Sequence, residues 1–335
     1  MNNQSAQATN TPGVLLISRH EVEKLLTMKE AVKAVEHAFK LQAEGKTTMP
    51  PKLYLDLPEY KGDFRAMPAY IDGSAGIKWV SVYPNNCNCN LPTVLATIIL
   101  CDPNNSLPVA IMDGTYITNM RTGAAGGVAV KYLARKDSSV IGMIGAGAQA
   151  KTQLLAISEV LPRIEEVKVF DMRMDASAIY AREMSAKLGI NIYPVETIQE
   201  ATDTDIVVTT TPSKKPMVKK EYIRPGTHIN AIGADAKGKQ ELEAALIRNA
   251  KIVVDDIAQA SHSGEINVPL SEGKIKVEEI YGTLGEVVAN LKVGREGDEE
   301  ITIFDSTGLA IQDIACARLV YEKAKEGKFP SLQLL

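Results

Sequence analysis

The chain has 335 residues, enough for two domains and a large core. Its 45% apolar and 23% charged residues are ordinary for a globular protein, and a formal net charge of −4 leaves no basic footprint for nucleic acid. No apolar run reaches the length of a membrane span, and Met1 to Pro12 is polar with no apolar signal core. A disordered tail over residues 1–12 and a cytoplasmic location are therefore expected. Four cysteines are too few for a disulfide scaffold. Cys87 and Cys89 share a polar loop, but no second pair or nearby His completes a tetrahedral set, so no metal is expected.

In chain order, Leu15 to Ile17 reads as a short strand, followed by two helices that open on Ser18-x-x-Glu21 and Thr27-x-x-Glu30 capping boxes. The second carries an apolar stripe through Ala31, Val32, Val35, Ala38, Phe39 and Leu41, and Gly45 stops it. Strands follow at Lys52–Leu57, Asp63–Ile71, Gly76–Tyr83, Val94–Cys101 and Pro108–Met112. Turns rather than helices separate them, which predicts an antiparallel or mixed sheet. Asn104-Asn-Ser106 reads as a turn. Thr115 to Leu133 reads as a helix whose Gly123-Ala-Ala-Gly-Gly127 cluster suits close packing or a nearby ligand.

From Ser138 onward strand and helix alternate. Strands at Val140, Val167, Asn191, Ile206, His228, Ile252 and Ile301 predict an α/β fold with a Rossmann-type doubly wound parallel sheet. Its first turn is Gly145-Ala-Gly147-Ala-Gln-Ala150, between the strand Val140–Ile144 and a helix over Gln149–Leu161. Gly145 serves the tight turn, Gly147 lets a diphosphate approach the backbone, and Ala150 lets helix and strand pack closely. Asp171 ends the next strand, where a ribose-binding acid belongs. A carboxylate there favours NAD over NADP. Arg173 can still reach a 2′-phosphate, so NADP remains accessible. The last helix, Leu309 to Lys325, is expected to return to the first sheet. The domains are then 13–129 plus 308–330 for the first, and 130–307 for the nucleotide.

None of the four histidines offers a clear acid/base setting. His228 reads as structural, and His262 lies in a polar loop within reach of a ligand. The acid/base candidates are therefore Lys78 and Asp235. Lys78 lies in an apolar strand, either on the solvent face or partly buried. Asp235 follows a sheet strand, as a turn residue or facing a ligand. Lys52, Arg65 and Arg121 are either surface charges or grips for a carboxylate. Thr209-Thr-Thr-Pro-Ser213 and Asp305-Ser-Thr-Gly308 end strands on the cofactor side. The expected cofactor-binding set is Thr122, Gly145, Gly147, Ala148, Gln149, Asp171, Thr211, Pro212, Gly233 and Ser306.

Together these stretches resemble the ornithine cyclodeaminase/μ-crystallin family. The resemblance rests on Met49-Pro-Pro-Lys52, Arg65-Ala-Met-Pro-Ala69, Gly76-Ile-Lys-Trp-Val80, Met120-Arg-Thr-Gly-Ala-Ala125 and Gly145-Ala-Gly-Ala-Gln149. It continues through Asn230-Ala-Ile-Gly-Ala-Asp235, Gly238-Lys-Gln-Glu-Leu242 and Ile303-Phe-Asp-Ser-Thr-Gly308. Within the family the chain is most similar to the archaeal-type alanine dehydrogenases. The resemblance implies a homodimer with NAD or NADP acting on amino acids or cyclic imines. It implies Lys78 and Asp235 as the catalytic pair, with Arg121 and Lys52 near the substrate carboxylate. Cyclodeaminases hold a glutamate two positions before the Met-Pro pair, suited to a distal amine; this chain has Arg65. Like charges about 4 Å apart cost about 4 kcal/mol at an effective dielectric near 20, less with an acid such as Asp63 nearby. The expectation is an L-alanine dehydrogenase. A cyclodeaminase, a ketimine reductase and a non-catalytic nucleotide-binding protein are the alternatives.

Overall fold

The computed structural model describes residues 13–334 and is built on two sheets. The expected tail, 1–12, and the side chain of Cys87 lie outside that description.

The N-terminal part runs β1 (Val14–Ile17), α1 (Arg19–Leu25), α2 (Met28–Ala43), β2 (Thr47–Thr48), β3 (Leu53–Leu57), β4 (Gly62–Ile71), β5 (Ser74–Val82), β6 (Val94–Cys101), β7 (Pro108–Asp113) and α3 (Gly114–Leu133). Both capping boxes form: Ser18 and Thr27 close on Glu21 and Glu30. Strands β3 to β7 make a mixed sheet with β1, joined at its two ends by the unanticipated two-residue strands β2 and, from the far end of the chain, β16 (Ser331–Leu332).

Side-chain alternation gives this sheet two different faces. One inner row is Met67–Lys78–Ile98–Met112, with every member 3% exposed or less. The neighbouring outer row is Leu16–Ile111–Ile99–Ile77–Pro68, apolar yet at least partly open to solvent. Trp79, the chain's single tryptophan, is on that outer face, stacked on Phe64 at 5.3 Å. Helix α11 (Ala310–Ala324) covers the inner face, packing on α2, β4 and β5.

The second sheet contains β8 (Val140–Ile144), β9 (Glu166–Phe170), β10 (Asn191–Pro194), β11 (Ile206–Thr209), β12 (His228–Ala231), β13 (Lys251–Val254), β14 (Gly282–Thr283) and β15 (Thr302–Asp305). All neighbours are parallel, in the order β10-β9-β8-β11-β12-β15-β13-β14. Between them lie α4 (Ala148–Val160), α5 (Met174–Leu188), α6 (Ile198–Thr202), α7 (Ala244–Arg248), α8 (Ile257–Ser263), α9 (Asn267–Ser271) and α10 (Leu284–Val288). Strand order reverses beside β8, and there an open α/β sheet leaves a crevice at its carboxyl ends.

Helix α3 joins the two halves and is buried along nearly its whole length. Its glycines serve close packing: a Cβ on Gly123 would stand 2.4 Å from Thr152 O, and one on Gly127 2.9 Å from Ala156 Cβ. The buried polar groups are paired across that contact, with Gln153 Nε2 donating to Thr122 O at 2.9 Å and Asn230 Nδ2 to Gly126 O at 3.1 Å. His228 is part of the same core, between Thr302 and Asn230, and burial lowers its pKa to about 3. It is structural, as its sequence context suggested.

Candidate active site

The turn after β8 has the shape expected of a diphosphate cradle. Gly145 has φ +98°, a conformation that disfavours a side chain. Gly147 is the N-cap of α4 at φ −82°, and no atom lies within 4 Å of where its Cβ would stand. What the second glycine provides is therefore room above the first-turn N–H groups, beside Ala148 and Gln149. Asp171 reaches back to this turn, accepting from Ala146 N at 2.9 Å and from Arg173 N at 3.0 Å. The buried Ser306 Oγ has no hydrogen-bond partner among the described residues. These features fit a dinucleotide with its ribose hydroxyls near Asp171.

Two of the expected cofactor contacts are narrowed by the structure. The backbone N–H groups of Thr211 and Gly233 are already taken, donating to Glu241 at 2.6 and 2.8 Å, while Thr209 Oγ1 donates at 2.7 Å. Only their other atoms remain for a ligand. Pro212 is exposed on the same loop, Gln149 Nε2 donates to Asn119, and Thr122 O is occupied by Gln153.

The candidate cations converge where the carboxyl ends of the second sheet meet the inner face of the first. Arg65 and Arg121 are each only 6% exposed, so neither is a surface charge. Arg65 grips Asp63 with Nε at 2.7 Å and Nη2 at 3.2 Å, and reaches Asp235 Oδ2 with Nη1 at 3.1 Å. That last bond spans the two sheets. Arg65 also lies over the Tyr54 ring, which meets the His262 ring edge-on. Lys52 donates to Thr307 O at 2.5 Å, and burial lowers its pKa to about 8 against the pull of Asp255.

Lys78 is 1% exposed in its apolar row. Alternation did put it opposite Ile77 and Trp79, but the face it shares is the buried one. Burial, with Arg121 adding to it, lowers the Lys78 amine to about 7 despite the attraction of Asp313. Asp235 is a third exposed. Burial alone would raise its pKa, but Lys239 at 2.5 Å and Arg65 hold it well below the usual carboxylate range. Each of the two candidate acid/base groups is thus paired with another residue.

The partner of Lys78 was not anticipated. Asp313 is fully buried, with Oδ2 2.7 Å from Lys78 Nζ and Oδ1 accepting from Arg121 Nε at 2.9 Å. Its signal was the polar pair Gln312-Asp313 inside the otherwise apolar run from Leu309 to Ala317. Glu241 and Asp255 were also missed. Asp255 accepts from Thr307 N and Gly308 N at 2.7 Å each, so it fixes the loop whose carbonyl holds Lys52. Among the described residues no group of three or more His, Cys, Asp or Glu could hold a metal, and no helix is long and apolar enough to cross a membrane.

The model of the ornithine cyclodeaminase/mu-crystallin family matches residues 14–328. The chain belongs to this family. It is 56% identical over 311 residues to the alanine dehydrogenase of Archaeoglobus fulgidus, covering 92% of this chain and 95% of that protein. The solved archaeal alanine dehydrogenase dimer with bound NAD superposes with a TM-score of 0.93 at 53% identity, covering 96% of this chain and 99% of the other. The Thermococcus litoralis Δ1-pyrroline-2-carboxylate reductase, solved with NADH and L-proline, gives 0.91 at 46% identity, covering 93% and 98%.

Proposed function

We propose that this protein is an NAD-dependent L-alanine dehydrogenase, reversibly converting L-alanine, NAD and water to pyruvate, ammonia and NADH. The observation that carries this reading is the junction itself. A buried, charge-paired Lys78 and an ionised Asp235 meet a cluster of carboxylate-binding cations beside a dinucleotide cradle. The 56% identity to an alanine dehydrogenase gives the substrate. The Gly145–Gln149 turn, Asp171 and Ser306 would hold NAD, which when bound would supply the hydride acceptor for the alanine α-carbon.

The chain's own residues then divide the remaining work. Lys52 keeps two ammonium hydrogens and Arg121 keeps its Nη2 for the substrate carboxylate. Lys78, with a pKa lowered to about 7, exchanges a proton readily near neutrality. It can serve the substrate amine, the attacking water and the carbinolamine. Asp235 is held ionised, so it stabilises the cationic imine and orients the water rather than changing charge itself. Environments that push two groups' pKa values apart in this way separate their roles.

Residues 13–129 plus 308–330 are proposed as the substrate and dimerisation unit, and 130–307 as the nucleotide unit. The outer apolar row of the first sheet supports a homodimer, since a patch of this kind marks an interface. A second reading, reduction of a cyclic imine, is favoured by the 46% identity to a pyrroline-2-carboxylate reductase. The deciding experiment is a panel of amino acids and 2-oxo acids with NAD(H) and NADP(H), including ornithine and proline. NADH formation from alanine, and ammonia-dependent NADH oxidation with pyruvate, are expected. Turnover confined to proline and its cyclic imine would overturn the alanine reading. Loss of turnover with NADH binding retained is expected for Lys78→Ala and Asp235→Ala.

A further inference from the structure

We propose that Asp313 is a positioning residue of this site: by ion-pairing with Lys78 through one carboxylate oxygen and accepting a hydrogen bond from Arg121 with the other, it keeps the Lys78 amine charged and the Arg121 guanidinium fixed. The proposal rests on the reading of Lys78 as a proton-transfer residue.

The surroundings of Lys78 explain the need. Its row partners are Met67 and Ile98, which offer no hydrogen bond to an ammonium. Burial therefore drives it towards the neutral amine. The charged groups that face it are unevenly matched. From α3 comes Arg121, and from the segment before β3 comes Lys52, both cations that push the same way. Arg65, two residues from Met67 on β4, has its charge already met by Asp63 and Asp235. From α11 come Asp313 and the Cys316 thiol, which burial pushes up to about 12, so that it stays neutral. Asp313 is thus the only anion among these groups in direct contact with Lys78.

The position of Asp313 suits that task. It lies in the first turn of α11, where the helix dipole favours a negative charge. Its other oxygen holds Arg121 Nε, and the preceding Gln312 Oε1 accepts from Arg121 Nη1 at 3.3 Å. Two anchors on a planar guanidinium fix its orientation and leave Nη2 for a substrate carboxylate. When one partner of a buried pair is removed, the remaining charge is uncompensated. Arginine keeps its proton in proteins. Lys78 is therefore the group that gives way.

The test is a titration of full-length protein labelled at lysine Cε with carbon-13 and read by NMR. The Lys78 signal is assigned by its absence in Lys78→Arg. In Asp313→Asn its midpoint should fall by about one to three pH units, the usual effect of losing an opposite charge at contact. In Asp313→Glu it should stay close to the parent. The limb of the kcat/KM profile belonging to Lys78 should move with it, while NADH binding persists. An unchanged midpoint in Asp313→Asn would overturn the proposal, as would an equal fall in Asp313→Glu, which would assign the effect to packing. If Asp313→Asn alone does not fold, the Asp313→Asn and Arg121→Gln double variant removes both charges: relative to Arg121→Gln alone its Lys78 midpoint should fall, and an equal midpoint overturns the proposal. Absence of alanine turnover in the parent would sink the dehydrogenase reading alone, because the NMR titration needs no substrate.

Discussion

Replacing Gly147 by valine separates the fold from the cofactor site. The backbone there, φ −82° and ψ −168°, is open to any L-residue, and no atom lies within 4 Å of the added Cβ. Removing glycine's freedom in the unfolded chain favours the variant by about 0.4–1 kcal/mol. Losing a tolerated N-cap residue costs about as much, so thermal stability should barely move. Ligand binding should respond quite differently. A branched side chain occupies the room through which a diphosphate reaches the first-turn N–H groups. Two charge-assisted hydrogen bonds at about 1.5–3 kcal/mol each amount to about 3–6 kcal/mol. At about 1.4 kcal/mol per tenfold, NADH should bind roughly a hundred- to ten-thousand-fold more weakly. NADH fluorescence titration alongside thermal unfolding reads both quantities. Parent-like affinity in a folded variant would refute the cradle, and unfolding would refute the claim of free space.

The remaining predictions concern other parts of the molecule. Asp171→Ala should lose affinity for NAD more than for NADP; because the same carboxylate holds Ala146 N, some loss for both is expected, and an unchanged preference would remove Asp171 from the ribose site. Ile99→Lys puts a charge in the middle of the outer apolar row, so if that row forms the proposed dimer interface, sedimentation should show a dimer in the parent and a monomer in the variant, and the emission of Trp79 should shift to the red; a dimer intact in the variant would place the interface elsewhere. Burial raises Asp305 from 3.8 to about 8 in the folded protein, so the folded state holds the extra proton between those values and stability falls as pH rises through that window. Asp305→Asn removes that slope and should gain on the parent from pH 5 to pH 8 in thermal unfolding; parallel profiles would contradict it.

Much of this architecture could be read from local pattern. The capping boxes, the closely spaced strands and the glycine turn each depend on residues a few positions apart, and each lies where expected. The short strands β2, β14 and β16 were not readable, because two residues carry no period. The site was only half legible for a related reason. Lys78 could be singled out as a charge in an apolar strand, but alternation alone does not say which face is buried. Here the apolar Ile77 and Trp79 point outward. A lone chain cannot declare which of its faces meets a partner. The pairings lay beyond local pattern altogether. Arg65 meets Asp235 170 residues away, and Arg121 meets Asp313 192 residues away. Gln312-Asp313 within an apolar helix could have been read as a buried polar pair needing a partner, by the rule that buried charge is compensated.

The pairing of Arg65 also changes the argument about substrate choice. Taken alone, an arginine about 4 Å from a distal ammonium costs about 4 kcal/mol and excludes a diamino acid by repulsion. In the structure Arg65 stands between two carboxylates, and Lys239 sits on one of them. Arg65 and Lys239 against Asp63 and Asp235 leave no net charge, so most of that repulsion is cancelled nearby. Selection has to work through occupancy instead. Arg65 commits Nε, Nη1 and one hydrogen of Nη2 to its acids, leaving one Nη2 hydrogen for a substrate carboxylate. A distal ammonium has no free acid in this group, because Asp63 and Asp235 are already paired. To bind, it must displace Arg65 or Lys239 from a carboxylate and leave a cation uncompensated. An alanine side chain asks for none of this. Under the proposed function the same geometry gives Arg65 a second part, since the bond that would withhold Asp235 from a diamine also holds that carboxylate ionised. Arg65→Glu would then remove a carboxylate grip and place three acids together. That combination raises their proton affinity and weakens alanine use on both counts.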